Sequence, residues 1–308
     1  MPVSVDLELR APFDGEALLA HLGARAIPGI EAVFDGRYRR SLRAPGGPAV
    51  VELAPAADRV RLTAWLADAD DLPGVVERCR AMFDLDADPA EVADVLAGDA
   101  LLAPLIAARP GLRVPGHPDG AELALRAVVG QQISLAGAAT LAGRMVAAHG
   151  EPLAGRPPGG VTHLWPEPGR LAALDPAELP MPRARAIALL ALARALADGS
   201  LDLRRGVDPG RARAALLALP GVGPWTAEYV AMRALGDRDA FLVTDLGVRR
   251  ALERLGQNTR PRAVARLAER WRPLRAYANQ HLWASRHAAA GTQPRVRNSQ
   301  NASPAYRP

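Results

Sequence analysis

The sequence contains no lysine: all 38 of its basic residues are arginine. Walker phosphate loops and Schiff-base mechanisms both draw on a lysine amine, so ATPase and lysine-dependent lyase chemistry are excluded. Cysteine is nearly as scarce. Cys79 stands alone, which rules out an intramolecular disulfide and any iron–sulfur cluster needing four thiolates. The six histidines are scattered, and neither HxxxH nor CxxC spacing occurs, so the usual metal-ligand patterns are missing too. Long apolar runs are also lacking. The Ala/Leu segments are broken by arginine, and the opening MPVSVDLELRAPFDG has no basic stretch followed by an apolar one. Neither a signal peptide nor a membrane span is expected, and a cytoplasmic address follows.

What is present is enough for two compact domains: 308 residues, 49% of them hydrophobic. The net charge of +5 conceals an asymmetry. Residues 1–100 hold ten arginines against eighteen acidic residues, a net −8, while the remainder holds 28 against 15, a net +13. An acidic first part and a basic second part point to a polyanion as partner of the second, although a basic half is often only a solvated surface.

The first eighty or so residues alternate short strand-like and helical stretches. Strands are expected at Val3–Leu9, Arg37–Arg43, Ala49–Leu53 and Val60–Leu66, and helices at Asp14–Ala26 and Pro73–Phe83, separated by Pro/Gly turns. This predicts an α+β N-terminal domain over 1–88, an antiparallel sheet with two helices. From Pro89 the apolar residues fall three and four apart, the pattern of helices, and an all-α domain is expected over 89–290. A Pro/Gly-rich loop, Glu151–Pro168, interrupts it, and the tail 291–308 reads as disordered.

The most informative segment is Arg211–Leu235. A helix, RARAALLAL, leads into Leu219-Pro220-Gly221-Val222-Gly223-Pro224, and a second helix starts at Trp225. Two helices joined by PGVG make a tight hairpin whose glycines leave backbone N–H groups uncovered, and N–H groups at a helix start bind phosphate oxygens. By itself PGVG is as readily a plain αα-corner. Twenty residues after Trp225 comes Asp245, in Phe241-Leu242-Val243-Thr244-Asp245-Leu246-Gly247-Val248, placed to cap the following helix. The hairpin helix sets Trp225, Tyr229 and Met232 on one face, a spacing that ordinarily means core packing.

The hairpin followed by an aspartate in an apolar loop resembles the helix-hairpin-helix element of base-excision glycosylases. Over nearly the whole chain the similarity is strongest to the DNA-3-methyladenine glycosylase II branch. The other landmarks are the acidic α+β front, Val128–Ser134 (VVGQQIS) and the run Trp271 to Trp283 (WRPLRAY…HLW). The resemblance implies a helix-hairpin-helix glycosylase domain that excises alkylated bases, of the 3-methyladenine and 7-methylguanine type, from double-stranded DNA. A monomer needing no cofactor is implied.

Asp245 would be the catalytic carboxylate, since breaking an N-glycosidic bond builds positive charge on the sugar. Trp225, Tyr229, Trp283, Gln131 and His21 would form the base pocket. Gly221, Val222, Gly223, Thr226 and Gln132 would meet DNA. The carbonyls of Leu217, Leu219 and Val222 would hold Na+ or K+. Where relatives that also cut the backbone carry a lysine, this chain has Trp225, so monofunctional action without lyase activity is expected. Cationic alkylated bases would gain about 0.5–2 kcal/mol over the aromatic faces.

Two positions depart from the family pattern: Gln132 replaces the usual apolar Leu wedge, and His21 replaces an aromatic residue. A glycosylase for oxidised or mismatched bases and a non-catalytic helix-hairpin-helix DNA-binding module remain as alternatives.

Overall fold

The computed structural model describes residues 2–154 and 159–288. The expected tail, 291–308, lies outside them. Near the N-terminus run β1 (Val3–Glu8), α1 (Gly15–Gly23), β2 (Glu31–Phe34), β3 (Arg37–Ala44), β4 (Gly47–Pro55), β5 (Arg59–Leu66) and α2 (Leu72–Phe83). The strands form one antiparallel sheet in the order β1-β5-β4-β3-β2. Its edge strand β2, EAVF, was not anticipated; four residues with a glutamate at the front carry too little alternation to stand out. Tyr38, Val51, Leu53 and Leu62 pack beneath α1 and α2 on Leu18, Val75, Cys79 and Phe83.

The helical part comprises α3 (Pro89–Leu96), α4 (Ala103–Ala108), α5 (Gly120–Val129), α6 (Leu135–His149), the strands β6 (Glu151–Pro152) and β7 (His163–Leu164), α7 (Pro168–Ala172), α8 (Arg183–Ala197), α9 (Pro209–Leu217), α10 (Pro224–Val230), α11 (Leu246–Arg254), α12 (Pro261–Ala268) and α13 (Arg275–Ala288). The β6–β7 ribbon corrects the expectation of a purely helical domain. It forms inside the Pro/Gly-rich loop, where Thr162 and His163 both bond the carbonyl of Gly29 in the N-terminal part. One core joins α5, α6, α8 and α9. A second joins α3 and α4 to α11, α12 and α13, so Val92 and Leu96 pack in the same cluster as Val248 and Leu282. Among the described residues no helix is long and apolar enough to cross a membrane.

Sheet and helices are locked by a buried ion network. The Arg40 guanidinium of β3, fully buried, donates to Glu122 of α5 at 2.6 Å. Arg126, one turn along α5, donates to both Glu31 oxygens at 3.1 and 2.9 Å and to Glu122 at 2.9 Å. Tyr38 OH adds a 2.6 Å bond to Glu31. Enclosing ions costs several kcal/mol each, and only complete pairing offsets it. Burial opposes ionisation of Glu122, yet Arg40 and Arg126 hold its carboxyl well below the usual carboxylate range. Glu31 is likewise lowered against burial by Arg126 and Arg40.

Both folded carboxyls titrate below their unfolded values, so their contribution is full above a pH of about 4.3 and is lost as pH falls below it. Replacing Glu122 with Ala strands Arg40 in the interior. Urea unfolding at pH 7 should show a loss of about 3–5 kcal/mol, with a shallower fall in stability between pH 5 and pH 3 than in the parent. An unchanged urea midpoint would mean that the network contributes nothing.

Candidate active site

The hairpin consists of α9, a turn at Gly221, and α10. Its two glycines serve different ends. Gly221 has φ +74, and a Cβ there would meet the Cβ of Ala188 in α8 at 2.5 Å, so its absent side chain is required for folding. Gly223 precedes α10, and a Cβ there would meet nothing within 4 Å. No side chain caps α10, and the first N–H groups of the helix, those of Trp225 and Thr226, have no intrahelical acceptor.

Val222 is buried in the α8–α9 core, so only its backbone is available at the turn. Thr226 is buried as well, and its hydroxyl accepts from Gln131 Nε2 at 3.3 Å; any phosphate contact there falls to its amide. Gln131 Nε2 also donates to the Gly221 carbonyl at 3.0 Å. Its amide thus ties the turn before α6 to the hairpin, and Gln131 is not among the residues that line the cavity beside Trp225 and Tyr229. Gln131 and Gln132 precede the Ser134 cap of α6, so they lie in a turn rather than on the helix. Gln132 is exposed at φ +60, a conformation costing a non-glycine residue about 1–3 kcal/mol. Ile133 and Leu135 beside it are exposed and apolar, a feature not singled out from the sequence.

Asp245 caps α11, where Oδ1 accepts from the Val248 amide at 2.8 Å. Two indoles complete its surroundings. Trp283 Nε1 of α13 donates to Oδ1 at 2.8 Å, and Trp225 Nε1 of α10 donates to Oδ2 at 3.0 Å. Oδ1 thus carries two bonds and Oδ2 one, leaving Oδ2 able to accept again, for example from a water. The contacts span 20 and 38 residues of chain, and fix the carboxylate from three helices.

Trp225 stacks on Tyr229 with centroids 5.0 Å apart at 9°. Both line a cavity of about 130 Å³ whose wall also includes Arg25, Arg126 and Arg233. Through Trp225 this cavity borders the Asp245 carboxylate. His21 and Trp283 are not among its lining residues, but stand beside it with ring centroids 6.1 Å apart.

Met232 is buried in the core against which Trp225 and Tyr229 also pack, as their shared helical face implies. A π-helical turn over Ala231–Leu235 follows α10 and alters the α-helical spacing, and Arg233 joins the cavity wall. Arg233 Nη1 donates to Tyr229 OH and to His21 Nε2, each at 3.0 Å. A guanidinium only donates, so His21 must accept there as a neutral imidazole. Burial, then Arg25 and Arg233, push its pKa well below the ordinary value.

The expected cation–π seats already hold resident cations. Arg25 lies 6.0 Å from the Trp283 centroid, and Arg233 lies 5.5 Å from that of Tyr229. Sequence reasoning missed both arginines because their importance depends on where the chain folds back.

Glu31, His117 and Glu122 place possible ligand atoms within 4.8 Å of one another, a separation compatible with a metal ion. Arg40 and Arg126 already neutralise those carboxylates, so the cluster fits an ion network and not a cation site.

The family model for the AlkA N-terminal domain matches residues 4–119, and that for the HhH-GPD superfamily base excision DNA repair protein matches 125–274. DNA-3-methyladenine glycosylase 2 of Escherichia coli K12 is 37% identical over 284 residues, covering 90% of this chain and 95% of that protein. A Mycobacterium tuberculosis protein described as a probable bifunctional transcriptional activator/DNA repair enzyme AlkA is 50% identical over 281 residues. That match covers 91% of this chain but 56% of the relative, so the chain spans little more than half of that protein's length. A 3-methyladenine DNA glycosylase from Archaeoglobus fulgidus shares the fold, with a TM-score of 0.78 at 22% identity over 92% of this chain and 98% of the other. With domain order, hairpin and carboxylate all in place, the chain belongs to the DNA-3-methyladenine glycosylase II family of helix-hairpin-helix base-excision proteins.

Proposed function

We propose that this chain is a monofunctional DNA glycosylase that releases alkylated bases from double-stranded DNA by hydrolysis, acting as a monomer. The observation that carries the proposal is the Asp245 carboxylate, held by two indole N–H groups and a backbone amide beside an aromatic-walled cavity. A module that only grips phosphate needs neither the carboxylate nor the cavity, and this favours an enzyme over a binding module. In the proposed reaction the flipped base enters the cavity. The bond from C1′ to the base nitrogen breaks and the base leaves with the bonding pair, while a water oxygen forms the new bond to C1′ and its released proton passes to the departing base or to solvent. Asp245 opposes the positive charge that grows on the sugar, and its Oδ2 can accept a hydrogen bond from the attacking water.

DNA would be held by the Trp225 and Thr226 amides at the start of α10, with Gln132 and the neighbouring Ile133 filling the space left by the flipped nucleotide. The carbonyls of Leu217, Leu219 and Val222 offer hard oxygen atoms suited to Na+ or K+. The Leu219 carbonyl already accepts from Val222 N at 3.3 Å and keeps a second lone pair. A cation bound there would add positive charge at the phosphate grip.

Asp245→Asn keeps the volume and removes the charge. Single-turnover excision from alkylated duplex should fall roughly 10²–10³-fold with duplex affinity retained; near-parent excision would remove Asp245 from the chemistry.

Because the chain carries no lysine, the product should be an intact abasic site, cut only after alkali or an added endonuclease. Borohydride should trap no protein–DNA adduct, and a robust adduct would contradict monofunctional action.

The two hairpin glycines should separate cleanly. Gly223→Ala should fold normally and lose about tenfold in affinity for damaged and undamaged duplexes alike, whereas Gly221→Ala should lower the melting temperature through its clash with Ala188. Unchanged duplex binding by folded Gly223→Ala would show that the turn does not approach DNA.

A further inference from the structure

The cavity wall bears more positive charge than the buried network accounts for. Arg40 and Arg126 are matched by Glu31 and Glu122. Among the described residues, Arg25 and Arg233 have no carboxylate partner. Arg25 donates to the His21 carbonyl at 3.1 Å. Arg233 is 2% exposed and spends Nη1 on Tyr229 and His21 and Nη2 on the Gly116 carbonyl at 3.3 Å. Its Nε is buried without any partner. A guanidinium N–H enclosed without an acceptor is costly, and this one belongs to a residue lining the cavity.

We propose that Arg233 reads the flipped base, its free Nε–H donating to a carbonyl oxygen or ring lone pair, and that Arg233 and Arg25 together make the cavity select neutral oxo-bases over cationic ones. This inference rests on the glycosylase reading above. A neutral base with an exocyclic oxygen, such as hypoxanthine, offers the missing acceptor. A base carrying a positive charge on its ring meets two unneutralised guanidiniums in a buried setting where charges are weakly screened. It also finds the ring of Tyr229, which lines the cavity, already approached by Arg233.

The surrounding groups register the same field. Burial alone would raise the Tyr229 hydroxyl, yet Arg233, Arg25 and Arg126 bring it below its ordinary value. Cationic alkylpurines would then owe their release to the weakness of their own glycosidic bond and not to tight seating.

The test compares single-turnover excision of hypoxanthine and of 7-methylguanine from matched duplexes by the full chain, by Arg233→Met and by Arg25→Met, with melting curves for each. Removing the Arg233 guanidinium should lower the hypoxanthine-to-methylguanine ratio at least about tenfold, the loss expected for a hydrogen bond from a charged donor. Arg25→Met, at a less buried position, should shift the ratio the same way by a smaller factor. An unchanged ratio in folded variants overturns the inference.

A second arm is independent of catalysis and of variant folding: quenching of tryptophan fluorescence in the parent protein by nicotinamide and by 1-methylnicotinamide, a neutral carbonyl-bearing ring and its cationic counterpart. The neutral ring should bind at least about tenfold more tightly. Equal or tighter binding of the cation overturns the proposal. Failure of the parent to release either base would refute the glycosylase reading while this arm still decides the charge preference of the cavity.

Discussion

The carboxylates of Glu31 and Glu122, sealed with Arg40 and Arg126 where the sheet meets α5, cannot be drawn apart without leaving a charge in a nonpolar interior. Arg126 also donates to the Arg25 carbonyl at 2.9 Å, and Glu31 accepts from the Ile27 amide at 3.0 Å, so the same network pins the chain between α1 and β2. That stretch carries Arg25 to the cavity wall, and α1 brings His21 to Arg233. The N-terminal domain is therefore part of the site, because one interdomain electrostatic constraint sets the cavity's charge and one of its walls.

The donors around Asp245 do not titrate in the working range. An indole N–H can only donate, so Trp225 and Trp283 orient the carboxylate without competing for its proton. Each also presents a ring to the space nearby: Trp225 stacks on Tyr229, and Trp283 lies beside His21 and Arg25. The complete use of arginine in place of lysine has two sides here. It withholds an amine nucleophile from the site, and it supplies planar guanidiniums able to donate to several acceptors at once, as Arg233 does to Tyr229, His21 and Gly116.

The change from α- to π-helical spacing at Ala231 connects the hairpin with the cavity. It follows directly on the helix whose first amides face the proposed phosphate position. One continuous segment thus bears the hairpin turn, an indole on the site carboxylate, a stacked tyrosine and the arginine at the cavity. A distortion in this segment would reach the hairpin turn and the cavity together.

The sequence by itself determined the elements whose signals are local. Alternating apolar residues located β1, β3, β4 and β5, the left-handed turn at Gly221 demanded glycine, and an aspartate ahead of a helical run located the cap at Asp245. Lysine's absence, readable at once, removed a whole class of chemistry. What the tertiary structure alone decided are relations between distant residues. The pairing of β2, the union of Trp283 with Asp245 across 38 positions and the bond from Gln131 to the hairpin each depend on how elements dock. Helical periodicity placed Met232 with Trp225 and Tyr229 on a packing face, and the three meet in one core, whereas the position of Arg233 at the cavity wall, within a π turn, is not encoded in that periodicity. The balance of charge at the cavity likewise emerged only on folding, because an arginine becomes unpaired through the company that packing gives it.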